Sequence, residues 1–356
     1  MKLCIILLLC LISSFCNAQT NADKATEKYT TAILLEDRGN YKEALALLLE
    51  AEKLDNKNID ITYEKAYCYY IQGDYKNAIV ILEKIINNAK ASEQFYQLLG
   101  NSYDNEFNHK KALAIYKKGI KKFPNSGKLY SETGVVYLAQ KEFSMALNFF
   151  EKGIQVDPYY ASNYYNTAKL FCASDNKIWG VLYGEIFMNI ERGSKRTLEM
   201  SKLLFETYKQ GFIFKPNNII AVNFTQEELK DNLKHDSDLP FTYGNQLEKI
   251  LQSSANGIDA INIATLNSIR KNVLNKYVEM HKKKYPNILF DYQQQMNTAK
   301  IFEAYNYWLF NQGNESEMKT WADAHKEEFA LFLTWFKKYP LEISDNSHFH
   351  RTDYLD

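Results

Sequence analysis

From Ala25 to about Ser194, apolar and polar positions recur with a period of 34 residues and no insertion. The blocks are 25–58, 59–92, 93–126, 127–160 and 161–194. Their eighth residues are all small: Ala32, Ala66, Gly100, Gly134 and Ala168. The eleventh is large and mostly aromatic (Leu35, Tyr69, Tyr103, Tyr137, Phe171), and the twentieth is small again (Ala44, Ala78, Ala112, Ala146, Gly180). A large apolar slot follows at Leu48, Leu82, Tyr116 and Phe150, and fails only in the last block, at Gly184. Small residues at fixed spacing allow two helix axes to approach closely while large ones fill the gaps beside them, so each block predicts a pair of antiparallel helices. Gly39-Asn40-Tyr41 and Gly73-Asp74-Tyr75 are the expected turns, and Pro124 and Pro158 stop second helices.

The pattern of small residue, aromatic, second alanine, aromatic and terminal proline resembles the tetratricopeptide repeat family. The third block (Gly100, Tyr103, Ala112, Tyr116, Pro124) and the fourth (Gly134, Tyr137, Phe143, Ala146, Phe150, Pro158) carry it best. The first two blocks have Asn56 and Lys90 in place of the proline, and the fifth decays after Asp175. The resemblance covers about half of the chain and implies an α-solenoid of about five helix pairs; with the helical periodicity of the second half, the expected fold is all-α, the solenoid followed by a C-terminal helical bundle.

Beyond the blocks, Met200, Leu203, Leu204 and Tyr208 share one helical face, which predicts a capping helix within 195–213. Residues 214–242 read as a linker with one short helix opened by Thr225-Gln226-Glu227-Glu228, although Ile219 to Phe224 is apolar enough to pack. Helical periodicity returns over 243–340 in three stripes. These are Ile263 to Met280, Tyr292 to Tyr305, and Met318 to Phe336, the last capped by Asn314 and ending before Pro340. Trp308, Trp321 and Trp335 read first as core filling and second as a binding pocket. Residues 341–356 read as a polar tail.

Lysine plus arginine equals aspartate plus glutamate at 43 each, so no global field favours nucleic acid or an anionic membrane. Lys2, the apolar run Leu3 to Ile12 and the small-residue site Cys16-Asn17-Ala18 predict a signal peptide over 1–18, cleaved near Ala18-Gln19. The run is too short to span a bilayer comfortably. The expectation is an exported protein, periplasmic or at the cell surface, without stable membrane insertion; the composition resembles exported Bacteroidota proteins. Cys68 and Cys172 then remain, three blocks apart, as buried thiols rather than a bridge.

The chain has no glycine-rich phosphate loop, paired-cysteine metal site, zinc-protease helix or nucleophile elbow. His348-Phe349-His350 beside Asp345 is a weak metal candidate outweighed by the tail reading. His281 sits at a helix end and His325 on an apolar stripe, where a core role suffices. The reading is non-catalytic, with no cofactor and no metal.

In the repeat family the first helix of each pair lines a concave groove. The matching places here give Tyr29 in the first block, Asp60, Tyr63, Tyr67 and Tyr70 in the second, and Gln97, Asn101 and Asp104 in the third. The fourth gives Lys128, and the fifth Tyr165 and Lys169. The family's charged chaperone-tail clamp does not carry over, because Tyr63, Tyr67, Ser131 and Val135 stand where it needs lysine and asparagine, and only Asn101 fits. These residues imply a protein-interaction scaffold that holds an extended partner segment. The tyrosines equally suit packing against neighbouring repeats. Two further classes stay open: a glycan-binding protein of surface nutrient uptake, and an enzyme whose site lies in the C-terminal helices.

Overall fold

The computed structural model describes residues 20–215, 219–225, 243–280, 282–344 and 347–354. The expected signal peptide, Gln226-Glu227-Glu228, His281 and Asp345 lie outside the described residues. The chain divides into two compact units, Met1–Phe123 and Pro124–Asp356.

The first unit holds three helix pairs: α1 (Asn21–Glu36) with α2 (Tyr41–Leu54), α3 (Ile59–Ile71) with α4 (Tyr75–Ile85), and α5 (Glu93–Asn105) with α6 (His109–Lys122). The turns inside the pairs are built alike. Asn40, Asp74 and Asn108 each donate a backbone N–H to the carbonyl five residues earlier, at Leu35, Tyr69 and Tyr103. That geometry needs a left-handed residue before each donor, met by Gly39 at φ +79° and Gly73 at φ +80°, but by Phe107 at φ +58° in the third block. Close approach within a pair is set by the eighth place: a Cβ on Gly100 would fall into the Tyr116 ring.

The second unit begins with the same construction in α7 (Gly127–Ala139) with α8 (Phe143–Val156), and α9 (Ala161–Cys172) with α10 (Lys177–Ile190). Gly134 faces the Phe150 ring as Gly100 faces Tyr116. The fifth pair differs. A Cβ on Gly184 would lie 2.8 Å from Met200 Sδ and 2.8 Å from Leu204 Cδ2, so residues of the next helix, α11 (Lys195–Gly211), fill the slot that Gly184 leaves. Gly180 brings α10 onto α9, with its ideal Cβ 2.5 Å from the backbone nitrogen of Cys172.

The all-α expectation holds, with a short antiparallel hairpin after α11. Strands β1 (Phe212–Lys215) and β2 (Ile219–Val222) pair Phe212 with Val222. The apolar stretch ends in Phe224, fully buried against Tyr208, Phe212 and Gly211. Helices α12 (Tyr243–Ser254), α13 (Ile263–Met280), α14 (Ile288–Thr298), α15 (Phe302–Leu309), α16 (Glu315–Ala324) and α17 (Lys326–Lys338) follow. Two stripes read as continuous are broken. Lys300 at φ +58° separates α14 from α15, and His325 separates α16 from α17. His325 is exposed rather than in the core; it stacks on Trp321 at 4.7 Å with its Nδ1 2.9 Å from the Trp321 carbonyl. The tryptophans serve packing: Trp321 stacks on Tyr307 at 4.3 Å, Trp308 meets Phe336 at 4.7 Å and Trp335 meets Tyr292 at 5.6 Å.

These helices share one apolar core with α9, α10 and α11, and the core extends to Phe349 and Tyr354. The polar-tail reading of 341–356 is therefore corrected for the described residues 347–354. Phe349 is fully buried, and the buried His350 ring sets Nε2 3.1 Å from the Glu151 carbonyl, a hydrogen-bonding role in place of the weak metal reading. Cys68 and Cys172 are free and buried.

At the centre of this core lies an ion pair with both side chains at most 5% exposed: Arg270 of α13 donates to Glu185 of α10 at 2.6 and 2.8 Å. Glu185 also accepts from Gln293 at 2.7 Å and Tyr305 at 2.9 Å, while Arg270 Nε donates to Asn306 at 2.6 Å. Burial of two charges is tolerated only because both are paired and further hydrogen-bonded. Arg270→Met should destabilise the protein by about 3–5 kcal/mol by leaving the Glu185 carboxylate uncompensated. Glu185→Met with Arg270→Met should recover most of that loss in chemical denaturation, whereas a double variant as unstable as the single one would contradict this reading.

Candidate partner-binding face

The first unit gathers several of the groove residues around a pair of carboxyl groups. Tyr29, Tyr63, Tyr67 and Tyr70 are all half-buried and Asp60 is exposed. Tyr63 stacks on Phe95 of α5, with centroids 4.6 Å apart, and Tyr67 meets Tyr41 of α2 edge-on at 6.1 Å. Tyr70 meets Tyr75 edge-on at 5.4 Å and its hydroxyl lies 3.3 Å from Asn105 Nδ2. Tyr63, Tyr67 and Tyr70 are thus each fixed by an aromatic neighbour while part of the ring stays open to solvent, so packing and presentation are combined in one side chain.

Beneath the rings, Glu36 at the end of α1 is hydrogen-bonded to Glu64 of α3 and accepts from the Cys68 thiol at 3.1 Å. Burial raises the Glu36 carboxyl, with Asp37 adding to the rise and the bonds from Cys68 and Glu64 opposing it. Burial, then the Glu36 charge and the bond to it, then Asp60, push Glu64 up to about 7. Two carboxyls in contact cannot both ionise cheaply, so near neutral pH they share a proton. Burial followed by these acids also raises the phenols of Tyr29 and Tyr63. The result is an aromatic, electronegative face that suits an apolar or cationic group better than an anionic one.

The amide-rich third block is less available. The Asn101 side-chain Oδ1 accepts from the Tyr116 hydroxyl and Asp104 pairs with His109 Nδ1 at 2.6 Å; Asn101, Asp104 and Gln97 are half-buried. In the second unit, Lys128 is half-buried and Lys169 exposed. Tyr165, read as groove-facing, is instead buried: it packs on Phe187 at 5.1 Å and donates to Glu199 at 2.6 Å, with Lys169 over its ring at 4.9 Å. The fifth-block tyrosine is taken up by α10 and α11, the elements that follow it. Glu64 and Cys68 lie at the sixth and tenth places of the second block, outside the places assigned to the groove. Their proximity to Glu36 follows from how consecutive first helices stack, and the only sequence signal for it is an acid at the twelfth place facing an acid in the next block.

Tetratricopeptide repeat family profiles match residues 35–101 and 93–125. Residues 35–125 therefore match the tetratricopeptide repeat pattern at the level of family profiles. It is 35% identical over 69 residues to "Tetratricopeptide repeat protein 30 homolog" of Caenorhabditis briggsae, a match over 19% of this chain and 10% of the relative. The chain thus spans about a tenth of that relative's length. Among solved structures, the PilF protein of Pseudomonas aeruginosa is similar at 16% identity and a TM-score of 0.47, covering 53% of this chain and 85% of PilF. A thermophilic tetratricopeptide repeat protein of Thermus thermophilus is similar at 15% identity and a TM-score of 0.44, covering 51% and 98%. Among the described residues, no helix is long and apolar enough to cross a membrane.

The raised carboxyl pair has a measurable consequence. A carboxyl whose folded pKa lies above its unfolded value binds its proton more tightly when folded, so its stabilisation is complete below the unfolded value near 4.5 and is lost as pH rises through about 7. Glu64→Gln should therefore gain melting temperature relative to the parent chain progressively between pH 5 and pH 8. Parallel melting curves across that range would contradict the shared proton.

Proposed function

We propose that the chain is a non-catalytic scaffold that binds an extended protein segment on the first-helix face of its first three repeats. The observation that carries this is the set of half-buried tyrosines beside the Glu36–Glu64 pair, of which Tyr63, Tyr67 and Tyr70 are each braced by a second ring. Braced aromatics present large contact area with little entropy left to lose on binding, as interface anchors do. The tetratricopeptide repeats supply the stacked frame on which such rings repeat. On this reading Tyr29, Tyr63, Tyr67 and Tyr70 anchor the partner, Asp60 lies at the edge of the acidic pair, and Gln97 borders the path. Asn101 and Asp104 serve the scaffold through their own partners. Lys128, Tyr165 and Lys169 belong to the second unit and are left out of the anchor set. Export of the chain, with cleavage near Ala18-Gln19, would set this binding in the periplasm or at the cell surface.

The rings are partly structural, so the test uses single substitutions. Tyr67→Ala and Tyr70→Ala each lose an edge-on contact worth about 0.5–1.5 kcal/mol, which leaves the chain folded at low temperature. Captured partner in affinity pulldowns from the native host at 4 °C should fall about tenfold or more for each, the size expected of an interface anchor. Recovery equal to the parent, with unchanged helical circular dichroism, would remove this face as the binding site.

A further inference from the structure

A second recognition site lies in the second unit, already filled by the chain itself. Residues 347–354 pack against α8 to α10 and α12, with an isolated bridge from Ser347 to Ser344 and a single 3-10 turn at Arg351–Tyr354. Phe349 enters an aromatic slot, 5.1 Å from Tyr183 edge-on and 6.3 Å from Trp179. Two residues on, Arg351 makes a two-pronged pair with the Glu151 carboxylate, 3.0 Å on each side, over the Phe171 ring. Its backbone N–H donates to the Tyr183 hydroxyl at 2.9 Å, and that hydroxyl donates to Glu151 at 3.1 Å. Tyr354 stacks on Tyr243 at 4.4 Å and donates to the Pro286 carbonyl at 2.7 Å.

The attachment is through the Phe349, His350, Arg351 and Tyr354 side chains, with His350 Nε2 3.1 Å from the Glu151 carbonyl, and through a few hydrogen bonds. Peptide segments are held in receptor grooves by comparable means: pockets take individual side chains and one fork-shaped charge pair fixes register. The residues that receive Phe349 and Arg351, namely Glu151, Phe171, Trp179 and Tyr183, all stand on repeat helices. Emptying the slot would expose three aromatic faces and a carboxylate that is 5% exposed in the filled state. We propose that this slot is a binding site for an extended segment with an aromatic residue two positions before an arginine, and that the chain's own C-terminal segment is its resident, displaceable occupant. The site is separate from the tyrosine face of the first unit. A tethered occupant competes at millimolar effective concentration, so the resident segment sets a threshold that an incoming partner must exceed.

The test uses the full chain and a fluorescein-labelled peptide with the sequence of residues 347–354. The parent chain is compared with the Phe349→Ala/Arg351→Ala chain by fluorescence anisotropy. Removing the tethered competitor should tighten peptide binding by about tenfold or more, and a peptide carrying Arg351→Gln should lose at least about tenfold on the same chain. Equal, weak binding by both chains up to about 1 mM peptide, with parent-like circular dichroism, would overturn the proposal. Should the double variant lose helix content, the full-length Arg351→Gln chain, which keeps Phe349 and Tyr354, decides. A gain of about threefold over the parent supports the proposal, and no gain overturns it.

Discussion

The structure depends on one packing constraint, the pairing of a small residue on the first helix of each repeat with a large one on the second. Where the small residue is glycine the large one is aromatic, as at Gly100 with Tyr116 and Gly134 with Phe150, and an added Cβ would enter the ring. Where it is Ala32 or Ala66, the large residue is Leu48 or Leu82, and all four are fully buried. Interiors are packed to crystal density, so the sum of the two volumes is fixed while its division between helices is free. This is why the repeat tolerates many sequences at one period.

The fifth pair obeys the same constraint with a different donor. Ala168 faces Gly184, the pair alone is too small, and Met200 and Leu204 of α11 complete the volume. The end of the pattern is thus a handover, in which a helix outside the repeat is drawn into the place of a repeat side chain. From there α10 is buried along nearly its whole length, and its Glu185 meets Arg270. The last repeat pair and the C-terminal helices consequently share one core and one polar centre.

This explains what the sequence disclosed and what it withheld. The five helix pairs and their boundaries were legible because periodic volume constraints leave periodic residues: each of the later four first helices begins on the first residue of its block. The C-terminal region was legible only as amphipathic stripes. Its breaks at Lys300 and His325 carry no glycine or proline, and the partner of Glu185 is 85 residues away. The tail misled because composition reports average polarity, whereas Phe349, Arg351 and Tyr354 act individually in slots made by other elements. Groove residues were placed by family register, which located the tyrosines of the first unit. It did not reveal Glu64 beside Glu36 or the burial of Tyr165, because both depend on how successive elements stack.

The handover is tested most directly at Gly184, where a large apolar residue would restore the family pattern. If Met200 and Leu204 already fill the slot, Gly184→Leu overpacks a closed core at a cost of about 2–3 kcal/mol. Thermal denaturation should then show a fall in Tm of roughly 5–10 °C. An unchanged or higher Tm would mean that the slot stands open and that α11 does not complete the fifth repeat.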